Sequence, residues 1–139
     1  MTDMKLVKTV FLKAEPEHVW SFLTEADKLA LWFHRGAADL VEGGDYVLET
    51  NSPGKEGEPL LTGRVLEAKK PERLVHTFTH EWLKGVETTC VWTLEAAKGG
   101  TILTLVHSGW EKADDPFGQG ASHDAGWDEH FVRLRRVTS

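Results

Sequence analysis

The pattern that most restricts this chain is a long run of alternating apolar and polar residues, cut by turn-forming clusters and closed by one amphipathic helix. Alternation with a period of two sends successive side chains to opposite faces, so each such stretch reads as a half-buried strand. It predicts strands over residues 37–41, 45–50, 60–69, 73–81, 86–96 and 101–107. Gly43-Gly44, the Ser52 to Pro59 loop, Lys70-Pro71-Glu72, Lys84-Gly85 and Lys98-Gly99-Gly100 separate them. Connections this short suit antiparallel neighbours, because parallel ones need crossovers of about a dozen residues. Over residues 122–137 the period becomes helical, with Trp127, Phe131 and Leu134 on one face. Asp124, Asp128 and Glu129 lie early in this helix and Arg133, Arg135 and Arg136 late, each set complementing the helix dipole. One helix with such a stripe has to cover a sheet, so the fold class is α+β.

The chain opens with a further strand over residues 5–13, rich in Val, Thr, Leu and Phe, which brings the expected total to seven. Pro16 suits a first helical turn, and Val19, Trp20 and Leu23 continue a helix over residues 16–23. Thr24 and Asp27 have the spacing of a capping box before a second short helix that carries Leu29, Trp32 and Phe33 and ends near His34 to Gly36. Residues 114–120, with Pro116, Gly118 and Gly120, read as a mobile loop. Strand parity sorts the faces: Leu74, His76, Phe78, His80 and Trp82 share one side, and Val75, Thr77, Thr79 and Glu81 the other. Cys90, Trp92 and Leu94 point inward on the next strand, Thr101, Leu103, Leu105 and His107 on the last, and Tyr46 and Leu48 on an earlier one.

Composition narrows the function. At 139 residues the chain is expected to be one domain over residues 1–139. Its 22 acidic against 16 basic residues give a net charge of -6, the wrong sign for a nucleic-acid partner. There is no run of about 18 apolar residues, so no membrane span is expected. The first fourteen residues alternate lysines with apolar residues, unlike a signal peptide, and the lone Cys90 has no disulfide partner; both point to the cytoplasm. Six tryptophans are a large amount of rigid, amphipathic surface for a chain of this size.

The stretch Ala14-Glu15-Pro16-Glu17-His18-Val19-Trp20-Ser21-Phe22-Leu23-Thr24, followed by Leu29 and Trp32-Phe33, resembles the opening of the SRPBCC (START-related) superfamily. Its branch of small bacterial proteins like the activator of heat-shock-protein ATPase shares more landmarks. These are Gly43-Gly44, Gly63-Arg64-Val65, Pro71-Glu72-Arg73-Leu74, Gly100 to Leu105, His107-Ser108-Gly109-Trp110 and Gly126-Trp127. The resemblance implies a helix-grip fold, a curved seven-stranded antiparallel sheet wrapped around the C-terminal helix, with a cavity between them. Two departures stand out. Phe33-His34-Arg35-Gly36 replaces a second Trp and a Gly-Pro, and the chain ends twelve residues after Trp127, which implies a more open far end of the cavity.

Seven histidines invite a metal, but the spacings do not support one. His76 and His80, four strand residues apart, would stand roughly 13 Å from each other. There is no H-E-x-x-H, and one cysteine makes no thiolate cluster. No G-x-S-x-G elbow accompanies Ser108, the two Gly-Gly pairs are turns and not phosphate loops, and no carboxylate shares a face with the inward histidines. No catalytic residue, metal or cofactor is therefore expected.

The expected function is binding of a hydrophobic small molecule between sheet and helix. Its aromatic wall would be Trp32, Phe33, Tyr46, Phe78, Trp82, Trp92, Trp110, Trp127 and Phe131. Leu48, Val65, Leu103 and Leu105 would add aliphatic surface, the Cys90 thiol would border the space, and His76, His80 and His107 would orient the ligand. Two alternatives follow from the resemblance: a module that contacts a chaperone ATPase, and an enzyme of the polyketide-cyclase sort.

Overall fold

The structure is a computed structural model and describes residues 4–139. The first strand, β1 (Leu6–Leu12), leads into α1 (Pro16–Thr24) and α2 (Ala26–Trp32); the strands β2 (Asp45–Glu49), β3 (Pro59–Lys69), β4 (Arg73–Phe78), β5 (Thr88–Ala97) and β6 (Gly100–Ser108) follow. The chain closes with α3 (Pro116–Thr138). The strands form one open antiparallel sheet in the order β1-β6-β5-β4-β3-β2, so β1 reaches past four strands to pair with β6. In β4, β5 and β6 the buried side chains are those that parity assigns inward, Leu74, His76 and Phe78, then Cys90, Trp92 and Leu94, then Leu103, Leu105 and His107.

The sheet has six strands and not seven. Residues 37–41 form no strand. Gly36 makes one bridge to Leu48 and Ala37 N–H donates to Val47 C=O, but the chain then turns away. Leu40 N–H bonds the carbonyl of Thr24, and Asp39 Oδ1 accepts from Ala26 N–H at 2.8 Å. These contacts anchor the segment to the start of α2, where it supplies an acceptor that a helix N-terminus lacks. The expected capping box does not form, because the Thr24 hydroxyl donates back to Trp20 C=O within α1. A residue thirteen positions further on does part of the work expected of a local cap.

The last helix begins at Pro116, six residues before the expected start, so residues 116–120 belong to a helix and not to a loop. Asp115 is the N-cap, accepting from Gly118 N–H, and Pro116 occupies the first turn, where its missing donor costs nothing. Gly118 and Gly120 are tolerated because the helix is held elsewhere. Trp127, Phe131, Leu134 and Thr138 are buried, and Lys8 on β1 reaches both Asp124 and Asp128 at 2.7 and 2.9 Å.

Between β3 and β4 the backbones approach so closely that only glycine fits at position 63. A Cβ there would stand 2.2 Å from the Thr77 carbonyl oxygen and 2.6 Å from the Tyr46 ring. Gly63→Ala is expected to lower stability by about 2 kcal/mol, at the middle of the range for overpacking, through displacement of Tyr46 and its partner strand. Chemical denaturation reads this directly, and an unchanged midpoint would show that the two strands separate freely.

Candidate functional site

The interior between sheet and helix is largely filled by aromatic side chains. Trp92 on β5 meets Trp127 of α3 edge-on at 5.4 Å, Trp127 stacks on Phe131 at 5.6 Å and on Phe33 at 5.0 Å, and Trp32 meets Trp92 at 6.2 Å. What remains at depth is a void of about 20 Å³ among Trp32, Tyr46, Leu48, His76 and Trp92. That is room for one water at most. Val65, Cys90, Leu103, Leu105 and Phe131 pack in the same core, and burial pushes the Cys90 thiol well above its ordinary pKa. Trp110 belongs to a separate small cluster with Leu83 and Ala113.

Two of the inward histidines are wired into this core by tryptophan. An indole N–H can only donate, so the ring nitrogen it meets is bare and the opposite one carries the proton. Trp92 Nε1 donates to His76 Nε2 at 2.9 Å, which leaves His76 Nδ1–H for the Thr77 carbonyl at 2.9 Å and the Tyr46 hydroxyl oxygen at 3.0 Å. Trp127 Nε1 donates to His107 Nδ1 at 3.0 Å, and His107 Nε2–H reaches Thr88 Oγ1 at 2.8 Å while that hydroxyl donates to Phe78 C=O. Both rings are satisfied and neutral. Burial holds His76 down to about 4 and His107 well below the usual imidazole value. The Tyr46 hydroxyl donates to the Thr77 carbonyl at 2.6 Å, and burial pushes its pKa upward.

The usable space lies at the mouth, between the ends of β3 and β4 and the middle of α3. It is a pocket of about 160 Å³. Phe33, Phe78, Trp82 and Trp127 form its aromatic walls, Leu60 and Leu61 its aliphatic one, and His34, His80, His123 and His130 stand around it. Larger concavities lie at the surface: about 630 Å³ over Lys13 to Glu17 and Gly99-Gly100, about 470 Å³ between the start of β1 and the first turns of α3, beside Trp110 and Phe117, and about 250 Å³ beside Phe11 and Lys98.

Trp82 reaches the pocket by a different route from the one parity implies. β4 ends at Phe78, and Glu81–Leu83 form a short 3-10 turn, so the Trp82 ring stands 59% exposed at the rim beside His80, 5.4 Å away. Thr79 still pairs with Thr62 through both backbone bonds, and only beyond it, with the Thr79 hydroxyl donating to Val86 C=O, does the chain leave the sheet.

Four pocket histidines carry no charge at neutral pH. Desolvation lowers the pKa of all of them; His80 and His130 fall to about 4, with His123 beside the first and Arg133 beside the second adding repulsion. Arg133 Nη2 donates to His130 Nδ1 at 2.6 Å. No carboxylate lines the pocket. Among the described residues no group of three or more His, Cys, Asp or Glu is placed to hold a metal ion, and no helix is long and apolar enough to cross a membrane.

Of the residues singled out from sequence, Phe33, Phe78, His80, Trp82 and Trp127 meet at the pocket. His34, His123 and His130 were not among them. A signal for two of these existed: His123, Trp127 and His130 repeat at i, i+4 and i+7, one stripe of α3 beside the apolar one.

An open antiparallel sheet covered by one long C-terminal helix, with a pocket at its mouth, is the arrangement of the SRPBCC proteins. Residues 13–139 match the family Activator of Hsp90 ATPase homolog 1-like protein, and the chain belongs to that family. No curated protein matches it. Among solved structures, CalU16 from Micromonospora echinospora is similar at 23% identity and a TM-score of 0.76, over 97% of this chain and 76% of that one. DynU16, from the dynemicin biosynthetic locus, is similar at 23% identity and a TM-score of 0.81; the match covers 97% of this chain and 47% of DynU16, about half its length. The Aha1 dimer from Colwellia psychrerythraea is similar at 20% identity and a TM-score of 0.76, over 97% and 96% of the two chains. These likenesses concern the fold.

Proposed function

We propose that this protein binds a small, neutral, single-ring aromatic compound in the pocket between the sheet and α3. The observation that carries the reading is the pocket itself: about 160 Å³ of space walled by Phe33, Phe78, Trp82 and Trp127, with no charged side chain on its surface at neutral pH. The pocket opens at its Trp82 rim and has imidazoles in its walls, and its volume falls well short of the roughly 300 Å³ or more that drug-sized ligands need. Size therefore selects one ring and argues against a polycyclic or long-chain guest. The absence of fixed charge disfavours carboxylates, whose desolvation nothing in the pocket would offset.

The family name also raises chaperone contact, and the resemblance read from the sequence raises cyclase chemistry. Neither has a feature of the pocket in its favour: its histidines have no carboxylate to orient them, and their depressed pKa values make them poor bases.

The test is a thermal-melt titration of the full chain with toluene, benzoate, naphthalene and decanoate. Toluene is expected to raise the melting temperature, since a ligand confined to the native state stabilises by about 2.7 kcal/mol at a hundredfold excess over its dissociation constant. Benzoate, naphthalene and decanoate are expected to leave it unchanged. Stabilisation by decanoate alone would replace the single-ring reading with an acyl-binding one.

A further inference from the structure

Two of the pocket histidines are coupled in a way that fixes where their protons sit. His123 Nδ1 lies 2.7 Å from the carbonyl oxygen of Gln119, an acceptor only, so His123 carries its proton there and presents a bare Nε2. That nitrogen is 2.9 Å from His80 Nε2, and the rings are nearly parallel at 6° with centroids 5.0 Å apart. His80 must then carry its proton on Nε2 and donate it to His123. This leaves His80 Nδ1 as a bare acceptor, and it is buried with no hydrogen-bond partner. Buried acceptors are rarely left unpaired, and one that is marks a place where a partner is missing. The ring bearing it forms part of the pocket wall, and the neighbouring Trp82 indole, 5.4 Å away, is more than half exposed at the rim.

We infer that the pocket selects aromatic compounds that bring in a hydrogen-bond donor, of which a phenolic hydroxyl is the simplest, and that His80 Nδ1 receives it as the Trp82 indole gives way. The inference rests on the pocket reading given above and specifies the ligand's chemistry. His123 is the positioning residue: its carbonyl-anchored proton sets the tautomer that makes His80 an acceptor. The interaction is a hydrogen bond and not a proton transfer. A phenol loses its proton near pH 10, and His80, lowered to about 4 by burial and by His123, is far too weak a base to take it.

The isosteric pair p-cresol and p-xylene tests this on the full chain, with binding measured by calorimetry and by Trp fluorescence. Transfer out of water favours p-xylene, so any preference for p-cresol reports the hydrogen bond. The expected result is p-cresol binding about fivefold tighter, a modest hydrogen bond's worth. In His80→Phe, which keeps a ring and removes the acceptor, p-xylene is expected to bind at least as well as p-cresol. Nitrogen-15 spectra of the imidazoles should show His123 protonated at Nδ1 and His80 at Nε2, with p-cresol shifting the His80 Nδ1 resonance. Equal or inverted affinities in the unmodified protein, with both compounds bound, would overturn the donor requirement and leave the aromatic pocket standing. So would a proton found on His80 Nδ1. If neither compound binds, the pocket reading falls and this inference falls with it.

Discussion

Lowering the pH from 7 to 4 is expected to remove several kcal/mol of stability, with histidines responsible for most of the loss above pH 5. His76 is fully buried and its pKa falls from the usual 6.5 to about 4. A base whose folded pKa is depressed binds its proton more readily when unfolded, so its contribution is fully present above pH 6.5. It declines as the pH drops toward 4. For His76 alone the displacement corresponds to about 3 kcal/mol. His107, held well below 6.5 chiefly by burial, acts in the same direction. His80 and His130 do so too, discounted for their contact with solvent. Against a typical total of about 5 to 15 kcal/mol this is a large fraction. Urea denaturation at pH 7, 6, 5 and 4.5 measures it. A stability that stays level between pH 7 and 5 would mean that these rings accept protons without unfolding and that their wiring to tryptophan is wrong.

Trp127→Ala is expected to cost about 4 kcal/mol, enough to unfold a marginal domain at moderate temperature. The side chain is 2% exposed and is where helix, sheet and pocket meet. It stacks on Phe33 and Phe131, meets Trp92 edge-on, and donates the hydrogen bond that satisfies His107 Nδ1. Trp127→Phe separates the two contributions: most of the packing survives while the donor is lost, and a cost of about 1 to 2 kcal/mol is expected. Truncation before Ser122 removes Trp127, Phe131 and Leu134 together and should abolish the cooperative transition. A truncated chain that melts at the full-length temperature would show that the helix is an appendage to a sheet stable by itself.

Much of the fold was legible because its signals are local. Strand parity sorts His76 from Thr77 and Trp92 from Val91 with no knowledge of the partner strand, since the pleat allows only two faces. The errors arose where a distant residue outbid a local one. Residues 37–41 alternate like a strand, yet Asp39 is drawn to the N-terminus of α2. Asp115-Pro116 is a sound helix start that two glycines obscured, because glycine's cost in a helix is about 1 kcal/mol and the buried stripe further along exceeds it.

The candidate site divides in the same way. The amino-acid sequence by itself determined which side chains turn inward and that one helix would cover them, because period and composition depend only on neighbours along the chain. It could not decide whether the space between would be empty. Six tryptophans either fill an interior or line one, and only the tertiary packing settles which: Trp32, Trp92, Trp127 and Phe131 occupy the depth and leave a small pocket at the mouth. The pairing of His80 with His123, 43 residues apart, is likewise a product of how helix and sheet meet. A hydrogen bond between them depends on a fraction of an ångström in that docking, and no spacing along a chain carries that information.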